Sequence, residues 1–154
     1  MIAVLQRVSR ACVYADGEWS GDCEAGLLIL LGVTVTDEEE DARLLADKIT
    51  RLRVFEDENG KMNRSLTDIG GGVLVISNFT LNANYSHGNR PDYLNAARPE
   101  VAEPLYERFI ALMAERVSHV GHGKFGADMK VDIAADGPVT IVMDSAVLRR
   151  GRGK

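Results

Sequence analysis

The two most hydrophobic stretches of the chain are short and open on glycine. Gly26 precedes Leu27-Leu28-Ile29-Leu30-Leu31-Gly32-Val33, and Gly70-Gly71-Gly72 launch Val73-Leu74-Val75-Ile76. Both fall well below the roughly 18 residues that would cross a membrane, and their unbroken hydrophobicity is that of strands covered on both faces. Residues 2–8 form a β-rich run that Ala11-Cys12-Val13-Tyr14 resumes. Asp16-Gly17 then turns the chain back through Trp19, which predicts an opening antiparallel hairpin. Thr36-Asp37-Glu38-Glu39 reads as a capping box. From it the stripe Ala42, Leu45, Ile49 and Leu52 predicts an amphipathic helix to Arg53, with Asp41, Arg43, Asp47 and Lys48 outward. Val54-Phe55 and Lys61-Met62-Asn63 predict short strands about the turn at 57–60, and 65–72 a loop.

Residues 82–98 are polar, contain Gly88 and Pro91 and show no sustained period, which predicts a long ordered loop of the kind that often carries function. Pro99 suits a first helical position, and Val101 or Ala102, Leu105, Phe109, Leu112 and Met113 continue a second helix to about Val117. Pro104 would remove the bond to the Glu100 carbonyl, so either the first turn is irregular or the regular helix starts nearer Glu103. Residues 129–133 and 139–143 read as strands, with Asp136-Gly137-Pro138 turning the chain between them. The expected fold is α/β: a mixed, largely antiparallel sheet or sheet pair with two main helices on one side.

At 154 residues the chain is expected to form one domain over 1–147, followed by a basic, flexible tail over 148–154 that carries Arg149, Arg150, Arg152 and Lys154. The net charge of −5 argues against binding nucleic acid, DNA included, through a dense basic surface. The N-terminus lacks the basic region and cleavage site of a signal peptide, so a cytoplasmic location is expected. Cys12 and Cys23 are read as free thiols. His87, His119 and His122 lie at no metal-ligand spacing, and neither a metal nor a cofactor is expected. Gly121-His122-Gly123-Lys124-Phe125-Gly126 matches GxGxxG by letter, but it follows a helix and runs into a strand, so it is read as a connection.

The chemistry concentrates where the second apolar run ends. Ser77, Asn78 and Thr80 stand where hydrophobicity should continue. Each buried hydroxyl or amide costs roughly 1–3 kcal/mol unless hydrogen-bonded, so the cluster needs a backbone network or a ligand. The residues leave both readings open. Ser77 and Thr80 are candidate nucleophiles, but no GxSxG elbow, P-loop or Cys–His pair accompanies them, and nothing in the sequence names an activating base.

Ser77-Asn78-Phe79-Thr80-Leu81 and Asp136-Gly137-Pro138-Val139-Thr140 together resemble the SQFTL and GPVT motifs of D-aminoacyl-tRNA deacylases. Gln6-Arg7-Val8, Gly26-Leu27-Leu28, Leu31-Gly32-Val33, Gly60-Lys61-Met62-Asn63, Arg90-Pro91 and Phe125-Gly126-Ala127-Asp128-Met129 fit the same pattern in order, across nearly the whole chain. Asn78 departs from it, standing one methylene shorter than the family's usual Gln. The resemblance implies a three-layer fold and an esterase that cleaves a D-amino acid, or glycine, from the 3′-terminal adenosine of tRNA and spares L-aminoacyl-tRNA. It implies a homodimer with the active site at the subunit interface, where Gly137-Pro138 forms a cis peptide and enters the partner's pocket. It places the scissile ester near Ser77, Phe79 and Thr80, with Asn78, Phe125 and Met129 at the substrate and Arg7 bracing the Gly137-Pro138 loop. Thr80 is the family's candidate nucleophile. The missing base instead favours attack by water assisted by the ribose hydroxyl of the substrate, with Thr80 positioning. Two other readings are a non-catalytic binder of the aminoacyl-tRNA end and a hydrolase of small D-amino-acid esters.

Overall fold

The two doubly apolar runs lie side by side, and the rest of the chain is laid around them. In the computed structural model, which describes residues 1–151, β3 (Gly26–Gly32) and β6 (Gly72–Ser77) pair in parallel, in register from Gly26 opposite Gly72 to Leu31 opposite Ser77. A parallel pair requires a crossover. The crossover here carries α1 (Glu39–Arg51) and a separate two-stranded sheet of β4 (Arg53–Glu56) and β5 (Met62–Ser65). The pair is tight at its start, because a Cβ on Gly26 would come within 1.8 Å of the Gly72 carbonyl oxygen. β1 (Ile2–Ala15) runs antiparallel to β3 with its first half and to β2 (Glu18–Cys23) with its second. β7 (Val120–His122) adds in parallel to β6, and β8 (Met129–Asp144) pairs along the whole of β1.

One face of this mixed sheet buries Ala3, Leu5, Leu27, Ile29, Leu31, Val73 and Val75 against α1 and against α2 (Pro99–Ala114). On the other face the strands of the sheet cover each other. Val8, Ala11 and Val13 of β1 and Cys23 of β2 pack on Leu28, Leu74 and Ile76. β2 thereby approaches β7 so closely that a Cβ on Gly121 would lie 2.1 Å from the Asp22 carbonyl oxygen. The helices thus sit on one side and the curled sheet on the other, as expected. Both cysteines are free thiols. Among the described residues no helix is long and apolar enough to cross a membrane.

Several local expectations are corrected. First, α1 starts at Glu39 with Glu38 as its N-cap, so the box at Thr36 does not form. The Asp37 carboxylate is taken up by the Thr34 N–H at 2.6 Å and by the N-terminal ammonium, which holds 34–37 in a turn. Second, Asp41 is buried rather than outward, because it accepts from the Glu38 N–H at 2.8 Å and from Arg149 at 2.6 Å. Third, the chain does not turn back at 136–138: β8 pairs with β1 both before and after this segment, and 136–139 bulge between the two paired stretches. Fourth, residues 148–151 are no flexible tail: α3 (Ser145–Gly151) is a helix docked by the Arg149–Asp41 pair, and 152–154 lie outside the described residues. In α2, Pro104 is accommodated within a helix that begins at Pro99. Its buried stripe takes Tyr106 where Leu105 was expected.

Burial alone would raise the Asp41 carboxyl, but hydrogen bonds from the Glu38 N–H, Ser145 and Arg149, with the N-terminal ammonium nearby, hold it below the ordinary carboxylate value. A depressed folded-state value means that this stabilisation is complete above the unfolded value of about 3.9 and is lost as pH falls through the folded one. Asp41→Asn should therefore cost about 1–3 kcal/mol at neutral pH. Denaturant midpoints should show the gap from wild type closing in acid below that value, and a gap of constant size would contradict the ion-pair account.

Candidate active site

β6 is buried along its apolar run and emerges at its C-terminal end, where Ser77 and Asn78 are half-buried and Phe79 and Thr80 are exposed. The chain leaves the ladder there: the Asn78 N–H donates to the Leu31 carbonyl at 2.8 Å, and a 3-10 turn (Phe79–Asn82) follows with Asn78 as its N-cap. The Asn78 side-chain oxygen accepts from the Thr80 N–H at 3.2 Å and from the Thr80 hydroxyl at 2.5 Å. The Phe79 amide opens the turn, a position whose N–H has no acceptor within the helix.

This strand end forms one wall of a cavity of about 550 Å³. Ser77, Asn78 and Phe79 line it, and it is also lined by Phe125, from the segment between β7 and β8, and by Met129, the first residue of β8. The GxGxxG-like segment is therefore more than a connection. It begins in β7, β8 rather than a helix follows it, and its Phe125 and Gly126, with Ala127 just after, build the cavity wall. Thr80, Arg7, Gly137 and Pro138 are not among the lining residues.

Several lining residues escaped the sequence reading. Leu31 and Val33 come from β3 and the residues just after it, Tyr93, Ala96 and Ala97 from the long loop, and Arg98, Pro99, Ala102 and Tyr106 from the start of α2. The loop carried a functional signal in its length. Tyr106 carried one too, since its phase matches Ala102, Phe109 and Met113 on the buried stripe. Its hydroxyl donates to the Val75 carbonyl at 3.0 Å, and burial pushes its ionisation far above the ordinary phenol value. Tyr106 lies 6.0 Å from Phe125, and Phe79 meets Tyr93 edge-to-face at 5.0 Å. Among the described residues the lining contains no aspartate, glutamate, histidine, cysteine or lysine. Hydrogen-bonding groups are present in the cavity, but a side chain suited to act as general base at neutral pH is not.

Arg7 and the Gly137-Pro138 peptide are brought together elsewhere on the sheet. Gln6 pairs with Thr140 and Val8 with Ala135, so Arg7 alone stands opposite Asp136, Gly137, Pro138 and Val139. The segment is a bulge, a suitable place for a proline that cannot donate to the ladder. Its Gly137-Pro138 peptide is cis, Gly137 has φ +146°, and both residues are exposed. The buried Arg7 guanidinium donates to the Asp136 carbonyl at 3.0 Å and to the Val54 carbonyl at 2.8 Å. The Asp136 carboxylate also lies 3.3 Å away.

Two relatives match this chain in sequence, and a solved structure matches it in fold, across nearly their full lengths. A D-aminoacyl-tRNA deacylase of Thermus aquaticus is 53% identical over 95% of this chain and 96% of its own. One of Roseiflexus castenholzii is 51% identical over 100% of this chain and 98% of its own. The structure of a c-Myc DNA unwinding element binding protein superposes with a TM-score of 0.87 at 40% identity, covering 94% of this chain and 98% of that one. The family model described as D-Tyr-tRNA(Tyr) deacylase matches residues 4–144.

The Arg7 contacts generate a test. Arg7→Met should leave the buried Val54 carbonyl without its donor and cost about 1–3 kcal/mol. Amide hydrogen exchange at 135–139 should accelerate more than elsewhere in β8, and uniform protection would show that Arg7 does not hold the bulge.

Proposed function

The chain belongs to the D-Tyr-tRNA(Tyr) deacylase family, and on that premise we propose that it hydrolyses the ester joining a D-amino acid, or glycine, to the 3′-terminal adenosine of tRNA and spares the L-enantiomer. It is a D-aminoacyl-tRNA deacylase, a hydrolase of carboxylic esters. Its place of work is the cytoplasm, where charged tRNA is used. The observation that carries the mechanistic reading is the cavity beside Ser77–Phe79, which is large enough for an aminoacyl group and holds no general base. Water is then the nucleophile, and the ribose hydroxyl next to the ester supplies the local acid–base function. The Asn78 and Thr80 amides are engaged as described, so the Phe79 N–H is the main-chain donor aimed at the developing oxyanion, a contribution worth about 3–4 kcal/mol in comparable sites. Phe79, Phe125 and Met129 bound the amino-acid side-chain space, and Ser77 closes the wall next to the ester.

Chirality is selected by a second copy of the chain. Along the strands, the Arg7–Leu27 and Leu31–Ser77 pairings put the Gly137-Pro138 bulge about 13 Å from Ser77, and across the sheet the two lie three strand spacings, about 14 Å, apart. A subunit therefore does not present the bulge to its own cavity. β8 is also an edge strand, paired with β1 alone among the described residues, and it exposes Ile133 and Val142. A long unpaired edge that also exposes apolar side chains is what a partner subunit covers. Main-chain groups of the partner's bulge, held by its own Arg7, then exclude one enantiomer by clash while tolerating many side chains. The acidic net charge fits contact confined to the tRNA end.

Purified protein should deacylate D-Tyr-tRNA and Gly-tRNA, leave L-Tyr-tRNA intact and ignore D-tyrosine methyl ester. Binding without turnover would instead make it a carrier of the charged tRNA end, and equal turnover of the methyl ester a general esterase. Pro138→Ala and the cavity-filling Ala97→Trp should each be inactive alone. Mixed and refolded together they should regain activity, because each mixed dimer contains one intact composite site; failure to complement would exclude the cross-subunit arrangement.

A further inference from the structure

The Asn78 amide has a fixed orientation. A backbone N–H can only donate, so the Asn78 atom that faces the Thr80 N–H at 3.2 Å is the carbonyl oxygen, Oδ1. The same oxygen lies 2.5 Å from Thr80 Oγ1. An amide oxygen carries no proton, so the hydroxyl is the donor, and threonine has one hydroxyl proton to give. Thr80 is exposed, and what its oxygen presents to the outside is lone pairs. This polarity matters for chemistry. An amide does not accept a proton in the way a base does, so the contact cannot activate Thr80 for attack. A hydroxyl whose proton is already committed cannot donate to an oxyanion either.

We propose that Asn78 is a positioning residue that makes Thr80 Oγ1 an acceptor for the substrate's ribose hydroxyl, the one vicinal to the scissile ester. The ribose O–H donates to Thr80 Oγ1 and the Thr80 O–H donates to Asn78 Oδ1, a chain of two hydrogen bonds running away from the ester. Such a chain polarises each member in turn, so the ribose oxygen turns its lone pairs toward the attacking water with greater basicity. As the water oxygen bonds to the ester carbon, this ribose oxygen takes the water's proton and passes it to the neighbouring ribose oxygen that leaves, so its own O–H stays on Thr80. No proton leaves Thr80 and no covalent enzyme intermediate forms. Asn78 is the residue at which this chain departs from the SQFTL pattern, and its short side chain is what allows one oxygen to reach both the N–H and the hydroxyl two residues on. The inference rests on the deacylase reading, with water as nucleophile.

The test compares kcat and KM on D-Tyr-tRNA ending in adenosine and on the same tRNA lacking the vicinal ribose hydroxyl. On the ribose substrate, Thr80→Val and Asn78→Leu should each lower kcat roughly 10- to 100-fold with KM nearly unchanged. Thr80→Ser and Asn78→Asp keep the donor and the acceptor and should retain most of the rate. On the deoxy substrate wild type should be slow, and Thr80→Val should slow it no further. Equal losses on both substrates, or full kcat in Asn78→Leu, would overturn the proposal while leaving the deacylase reading intact. A wild-type protein inactive on the ribose substrate would overturn both.

Discussion

The parallel pairing of β3 with β6 is the constraint from which the rest of the structure follows. Both strands are apolar throughout their buried length, so neither face can be left to solvent, and each face is covered differently. α1 and α2 cover one, and the curled β1 and β2 cover the other. The pairing ends at Leu31 opposite Ser77, and beyond it backbone groups must find partners outside the ladder. The Asn78 N–H takes the Leu31 carbonyl and the Asn78 side chain takes the next free amide. The polar cluster at this strand end is therefore both a structural cap and a cavity wall, and the two roles are not alternatives.

That double role separates atoms that a residue list would pool. Asn78 faces the cavity, yet its side-chain oxygen is committed to Thr80. Thr80 carries the hydroxyl most readily taken for a nucleophile, but it lies outside the cavity lining and its proton is engaged. The free main-chain donor at Phe79 arises because a helical turn begins there, whatever side chain occupies the position.

The second organising contact is Arg7. β1 and β8 pair on either side of it, and four residues of β8 bulge out across from this one residue of β1. Its guanidinium binds carbonyls of the bulge and of β4, so the segment that carries Gly137-Pro138 is pinned to the sheet although it is exposed. Arg7 is almost completely buried and its carboxylate neighbours are mostly exposed, so the hydrogen bonds to main-chain carbonyls, more than the ion pairs, fix its place.

Much of this was legible in the sequence. Continuous apolar runs, glycine boundaries and three-to-four spacing are local signals, and they predicted the buried strands, both helices, the long loop and the polar strand end. The motifs around Ser77 and Gly137 supplied the family resemblance. Tertiary structure decided what depends on partners remote in sequence. β8 is one strand rather than a hairpin because β1 extends beside it, and Asp41 is buried because Arg149 reaches it. Tyr93, Arg98 and Tyr106 line the cavity because the loop and α2 return over β6. Local propensity is written residue by residue along the chain. Which strand ends, loops and bulges meet is set by how the sheet curls and where the helices lie, and no short window of sequence contains that.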